Sequence, residues 1–110
     1  MVETYVNDVL VHAADIIETR GLARTVFWDS EGRVCAAQAL WLAIAGPDAE
    51  QTLPGMTRPV GATDEVFRRN CVRYNAARYE LLDRTWAGSV ATWSDHATVE
   101  DVLRVLRGET

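Results

Sequence analysis

Between Val34 and Ala45 the chain reads VCAAQALWLAIA, an apolar stretch of about twelve residues with Gln38 as its one polar member. A helix lying on a surface carries a polar stripe along its outer side. This stretch has none, so its pattern predicts a helix enclosed by protein on nearly all sides. Gly46-Pro47 ends it, because proline cannot continue a helix and glycine permits a left-handed turn. The run is well short of the roughly twenty residues that cross a bilayer.

Other helices are predicted around this hub. From Glu3 to Arg20, Val6, Val9, Leu10, Ala13, Ile16 and Ile17 recur at three- and four-residue spacing, with Asp8, Asp15, Glu18 and Thr19 opposite them. Gly21 is the stop, and Arg20 suits the negative end of the helix dipole. A second long helix runs from Thr63, as its N-cap, to about Thr85, with Asp64 and Glu65 at its positive end. Phe67, Cys71, Tyr74, Ala77, Leu81 and Leu82 mark its inner face, and Arg69, Ala76, Glu80 and Asp83 its outer one. Arg78 projects from the middle of the apolar face, where a charge needs a partner or must reach out to water. Thr98 with Asp101 makes an aspartate variant of the capping box and opens a last helix. That helix faces inward through Val99, Val102, Leu103 and Leu106, and Gly108 closes it.

Two segments read as extended. Thr25, Val26, Phe27 and Trp28 are β-formers, and Asp29-Ser30-Glu31-Gly32 has the composition of a tight turn, which predicts a short hairpin leading into the buried helix. Ser89–Trp93, SVATW, is half apolar and would pair with Thr25–Trp28. From Pro47 to Ala62 the chain is loop-like, an unusual length inside a compact domain. Leu53, Met56 and Val60 are expected to tack it to the core. The expected fold is mainly α: one compact four-helix domain over residues 1–110 around a buried central helix, with a small two-stranded β element.

Composition narrows the partners. At 110 residues and 48% hydrophobic, the chain can build a core without staples. Its net charge of −5 and pI near 4.9 disfavour sequence-independent contact with nucleic acid. All eleven basic residues are arginine, a footprint of GC-rich coding. The two cysteines, Cys35 and Cys71, fall on apolar faces and read as small hydrophobes. With no secretory signal at the amino terminus, a reducing cytoplasm is the expected setting.

Val34-Cys35-Ala36-Ala37-Gln38-Ala39-Leu40, Val90-Ala91-Thr92-Trp93-Ser94-Asp95 and the Thr98-x-x-Asp101-Val102-Leu103 helix together form a pattern. It resembles a family of small uncharacterised proteins of actinobacteria and their phages. Members pair a Cys-Ala-x-Gly-Ala helix with a Trp-Asn-Asp turn, and open with a helix ending in Gly-Trp, as Gly21-Leu22 does here in part. Gln38 stands where that family has glycine, Ser94 where it has asparagine, and Leu22 where it has tryptophan. The resemblance covers most of the chain and implies no established activity.

The densest polar cluster is Trp93-Ser94-Asp95-His96. As a recognition corner, Trp93 would supply flat contact area and Asp95 a fixed acceptor. As structure, Trp93 packs inward while Ser94 and Asp95 bond backbone amides, and this bland reading is the favoured one. A salt bridge between Asp95 and Arg78 would satisfy the arginine. A thiol catalyst of Cys35 with His12 or His96 and Asp95 would need an electropositive setting, but Cys35 sits among alanine and valine. Two histidines and two cysteines lack metal-site spacing, and no glycine loop precedes a helix. Arg68, Arg69, Arg73, Arg78 and Arg84 are interleaved with acids, as in the pairs Glu65–Arg69 and Glu80–Arg84, the pattern of a solvated face. Trp28, Trp86 and Trp93 are expected to gather into one aromatic cluster, with Trp41 in the buried helix.

The expected function is non-catalytic protein–protein interaction by a small acidic cytoplasmic protein, a phage or prophage accessory factor whose partner is a host protein or a second copy. The binding candidates are Trp93, Asp95, His96, Arg78 and Trp28, with no cofactor, metal or membrane. Two alternatives stand beside it: a small-ligand binder or enzyme using the Trp93–His96 turn with Arg78, and a helical DNA-binding protein.

Overall fold

In the computed structural model, which describes residues 4–109, the apolar run folds as a helix, α2, over Ala36–Ala45. Every residue from Val34 to Leu42 is buried, and Leu40 and Trp41 are fully sealed. Helix α1 spans Thr4–Arg20 and α3 spans Asp64–Thr85. Short helices follow at Val90–His96, α4, and Val99–Leu106, α5. Helix α2 packs against α1, α3 and α4, while α5 closes on α1 and α3. The Cα radius of gyration, 12.8 Å, is what a compact chain of this size gives.

The two long helices follow their sequence patterns. Val6, Leu10, Ala13 and Ile17 of α1 are buried, and Ala14 joins them. The expected start at Glu3 lies outside the described residues. Gly21 ends α1 at φ +93°, its N–H on the Ile17 carbonyl at 2.7 Å. On α3, Thr63 caps the Val66 amide at 3.2 Å, while Tyr74, Ala77 and Leu81 face inward together with Asn70. Trp41 meets Phe67 and Tyr74 edge-on, at centroid distances of 6.2 and 5.8 Å. Such pairs add about 0.5–1.5 kcal/mol each beyond burial.

Two expectations fail. There are five helices rather than four, and no two-stranded β element exists among the described residues. Ser89–Trp93 is not extended. Ser89 Oγ accepts from the Thr92 amide at 3.1 Å, an N-cap, and α4 follows with Val90 and Ser94 buried one turn apart. Five half-apolar residues fit a strand and a helix alike, and Val90 and Ser94 stand at the four-residue spacing of a helix. At Thr25–Val34 the Asp29–Gly32 turn forms, with Asp29 Oδ1 accepting from the Glu31 and Arg33 amides. The arms do not become strands. Thr25 takes φ +65°, and Val34 pairs singly with both Leu22 and Trp28 before the α2 cap begins.

The Pro47–Ala62 segment is held differently from the expectation. Leu53, Met56 and Val60 are exposed, Val60 by 90%, so they fasten nothing. A 3₁₀ turn at Pro47–Ala49 instead buries Ala49, and Pro54 and Pro59 are buried beyond it. Polar groups of the buried helix complete the attachment. Trp41 Nε1 donates to Thr52 Oγ1 at 2.8 Å, and Thr52 Oγ1 donates to the Ala49 carbonyl at 2.6 Å. Gln38 Nε2 reaches that same carbonyl at 3.4 Å. Arg20 adds an ion pair to Glu50 at 2.5 Å.

Because Thr52 is both acceptor for the buried indole and donor to Ala49, removing its hydroxyl should orphan Trp41 Nε1. Thr52→Val, nearly isosteric, is expected to lower unfolding free energy by about 1–3 kcal/mol in a urea melt. A change within error would show that the indole finds another partner and that the loop does not depend on the Thr52 hydroxyl.

Candidate functional site

The Trp93–His96 stretch is the second half of α4, and its two central residues act at long range. Ser94 is fully buried, and its Oγ accepts from the Ala36 amide at 3.1 Å. That amide belongs to the first turn of α2, where no intrahelical partner exists. Cys35 caps the same end, its Sγ accepting from the Gln38 amide at 3.5 Å. Asp95 Oδ1 accepts from the Thr25 amide at 2.7 Å, and Arg24 Nη1 donates to the Ser94 carbonyl at 2.8 Å. The turn therefore ties α4 to the irregular segment before α2 and to the start of α2 itself.

The proposed Asp95–Arg78 salt bridge is absent. Asp95 is committed to Thr25, and the Arg78 guanidinium lies 4.6 Å over the Tyr79 ring and donates to Asn75 Oδ1 at 3.4 Å. Of the charge pairs expected on α3, Glu80–Arg84 forms at 3.5 Å. Glu65–Arg69 forms none among the described residues; the neighbouring Asp64 pairs with Arg58 instead.

The five candidate residues divide among separate places. Trp93 and His96 line a shallow depression of about 580 Å³ with Thr85, Ala87 and Arg104. Asp95 lines a crevice of about 90 Å³ beside Cys35 and Val26. Arg78 opens into a groove of about 330 Å³ between α3, the Pro54–Met56 turn and the start of α4. Trp28 is half-buried and packs near Phe27 at a centroid distance of 6.5 Å. Arg78, Asp95 and His96 thus line three different depressions.

The thiol set does not assemble either. Cys35 is 2% exposed, and burial pushes its thiol above the ordinary range, with the Asp95 charge adding to the rise. His12 and His96 are both exposed. Among the described residues no three His, Cys, Asp or Glu side chains are grouped as metal ligands, no helix is long and apolar enough to cross a membrane, and both cysteines are free.

One residue is conspicuous that the sequence placed in an aromatic cluster. Trp86 is 93% exposed, and it caps the C-terminus of α3 in the left-handed region at φ +58°, its N–H on the Leu82 carbonyl at 2.8 Å. Thr85 and Ala87 on either side of it line the depression that holds Trp93 and His96. The tryptophans thus form no common cluster. Residue type alone could not separate an exposed indole from a buried one, though Trp86-Ala87-Gly88 after a long helix marks a C-cap.

Residues 1–108 match the family model of DUF6197, a family of unknown function. The chain belongs to DUF6197. No curated protein and no solved structure matches it. What DUF6197 membership establishes for this chain is kinship over nearly its whole length, with no chemistry attached.

Two outcomes follow for this DUF6197 chain. Ser94→Ala strips a buried acceptor from the Ala36 amide and should cost about 1–3 kcal/mol in a chemical melt; an unchanged midpoint would mean α2 needs no cap from α4. In native protein, iodoacetamide at neutral pH should label the half-buried Cys71 before Cys35, which should react only with unfolding. Rapid labelling of Cys35, read by peptide mass, would revive a reactive thiol.

Proposed function

We propose that this chain is a non-catalytic protein-binding module whose contact surface centres on Trp86, with the Trp93–His96 depression beside it. The observation that carries the reading is Trp86 itself. A left-handed helix cap is glycine's position, since any L side chain there costs about 1–2 kcal/mol. An indole nearly free of the protein recovers none of that through burial, so folding gives no reason for tryptophan here. Exposed tryptophan beside a shallow, partly apolar surface is the usual composition of an interface centre. Strained caps with no structural return point to a use outside the chain.

The partner is a protein, either a host factor or a second copy of this chain. Arginine-only basicity and the Cys-Ala and Trp-x-Asp motifs support an origin in an actinobacterium or one of its phages, and small size and acidic charge fit an accessory role there. The acidic, single-domain chain would work in the cytoplasm. The geometry lends no support to an enzyme built on the Trp93–His96 turn and Arg78, because those residues open onto different surfaces.

Trp86→Gly separates binding from folding. Its unfolding free energy should stay level or rise by up to about 1 kcal/mol, because glycine relieves the cap. Affinity capture from an actinobacterial lysate and sedimentation over a concentration series should then reveal a partner, host or second copy, held by the wild type and lost by the variant. Identical capture and identical sedimentation of the two proteins would overturn the reading.

A further inference from the structure

The groove of about 330 Å³ beside Arg78 is not used by the Trp86 surface. Its walls are mostly apolar, supplied by Phe27, Pro54, Met56, Val90 and Ala91, with Asn75 and Ser89 as polar members. Gly55 shapes one side: it sits at φ +68°, and a Cβ there would lie 2.7 Å from the Tyr74 ring, so glycine lets the turn close down on the tyrosine. A volume of this size falls at the lower end of pockets that take small molecules, about 300–1,000 Å³.

Arg78 is the one charged residue lining the groove among the described residues. Arg20, Arg33, Arg58, Arg84, Arg104 and Arg107 each meet a carboxylate. Arg78 meets none there; the Tyr79 face and the Asn75 amide orient its guanidinium without neutralising it. Arg24, Arg68, Arg69 and Arg73 likewise form no carboxylate pair among the described residues, and of these unpaired arginines Arg78 alone lines the groove. Tyr74 also lines it, and burial pushes its phenol up to about 12, so the hydroxyl stays protonated and can donate a hydrogen bond.

We propose that this groove binds a small organic acid, with a single carboxylate on Arg78 and a ring or short alkyl body along Phe27, Met56 and Val90. One planar guanidinium matches a monoanionic carboxylate through its paired donors. A phosphate dianion would bring two negative charges to a groove lined by a single cation. A neutral ligand would leave the guanidinium half-desolvated and unmatched. The site shares no lining residue with the Trp93–His96 depression, so either assignment can fail without the other.

The test uses octanoate and phenylpropionate as probes, with octanamide and phenyl phosphate as comparators, titrated into isotope-labelled protein and followed by NMR. The acids should shift the amides of Gly55, Met56 and Ala91 and the Arg78 side-chain N–H, with a dissociation constant on the order of 1 mM or tighter. Arg78→Gln should weaken the acids by about tenfold or more and leave octanamide little changed. Met56→Glu, at a 73% exposed position where folding is not at stake, sets a repelling carboxylate at the mouth and should also weaken the acids. Trp86→Gly should bind them as the wild type does. The proposal is overturned by silence at these amides up to about 10 mM acid, by octanamide binding as well as octanoate, or by tighter binding of phenyl phosphate. Wild-type affinity in a folded Arg78→Gln protein would equally overturn it; should that variant not fold, the Met56→Glu and octanamide comparisons decide.

Discussion

A helix sealed from water must find partners for its own end groups, and this constraint organises the molecule. The first amides of α2 have no carbonyl one turn back. The Gln38 amide turns to Cys35 Sγ, and the Ala36 amide to Ser94 Oγ, 58 residues along the chain. That second contact fixes where α4 must lie. Once Ser94 is seated, its carbonyl takes Arg24 and its neighbour Asp95 takes the Thr25 amide. The irregular segment before α2 is thereby ordered without a sheet. At the side of the same helix, Trp41 and Gln38 draw in Thr52 and Ala49. Two non-helical stretches are therefore placed around one apolar helix, the segment before α2 through α4 and residues 49–52 by Trp41 and Gln38 directly.

What the amino-acid sequence made legible was local. Caps at Thr63 and Thr98, the stop at Gly21 and the buried faces of α1 and α3 depend on neighbours within a turn or two, and they appear where the spacing puts them. The failures involve partners far apart in the chain. Ser89–Trp93 reads as a strand because its five positions are half apolar, yet the Ser89 cap and the inward pull on Val90 and Ser94 decide for a helix. Asp95 was matched to Arg78 by charge; a backbone amide held in left-handed geometry at Thr25 took it instead. Leu53, Met56 and Val60 looked like anchors by hydropathy. Buried prolines and a hydrogen-bonded carbonyl anchor that loop, and composition is blind to both.

The candidate surfaces were legible to a smaller degree. Trp93 and His96 share a depression, whereas Asp95 and Arg78 open onto other surfaces. The most telling residue, Trp86, carried only the mark of a C-cap before Ala87-Gly88, and nothing in its type set it apart from the other three tryptophans. Only its φ of +58° together with its exposure separates it from an indole used for packing. The Arg78 groove was hidden for a related reason. It is made where the Pro54–Met56 turn meets the start of α4, and neither element had its position or type before the long-range contacts were known.

Cys35 shows how a site can be chemical in composition and mechanical in role. Its position at a helix N-terminus would ordinarily favour thiolate, and the amides of Ala37 and Gln38 do pull in that direction. Desolvation outweighs them, and the fixed charge of Asp95 adds to it, so the protonated form wins. A neutral sulfur is a weak acceptor, which suits the long 3.5 Å contact to Gln38. A serine here would give a stronger cap but a smaller, more polar side chain in a place that is 2% exposed. Sulfur fills the apolar space and still offers a lone pair. Ser94 then provides the stronger bond from α4, so the buried helix is capped by two different atoms, one chosen for volume and the other for polarity.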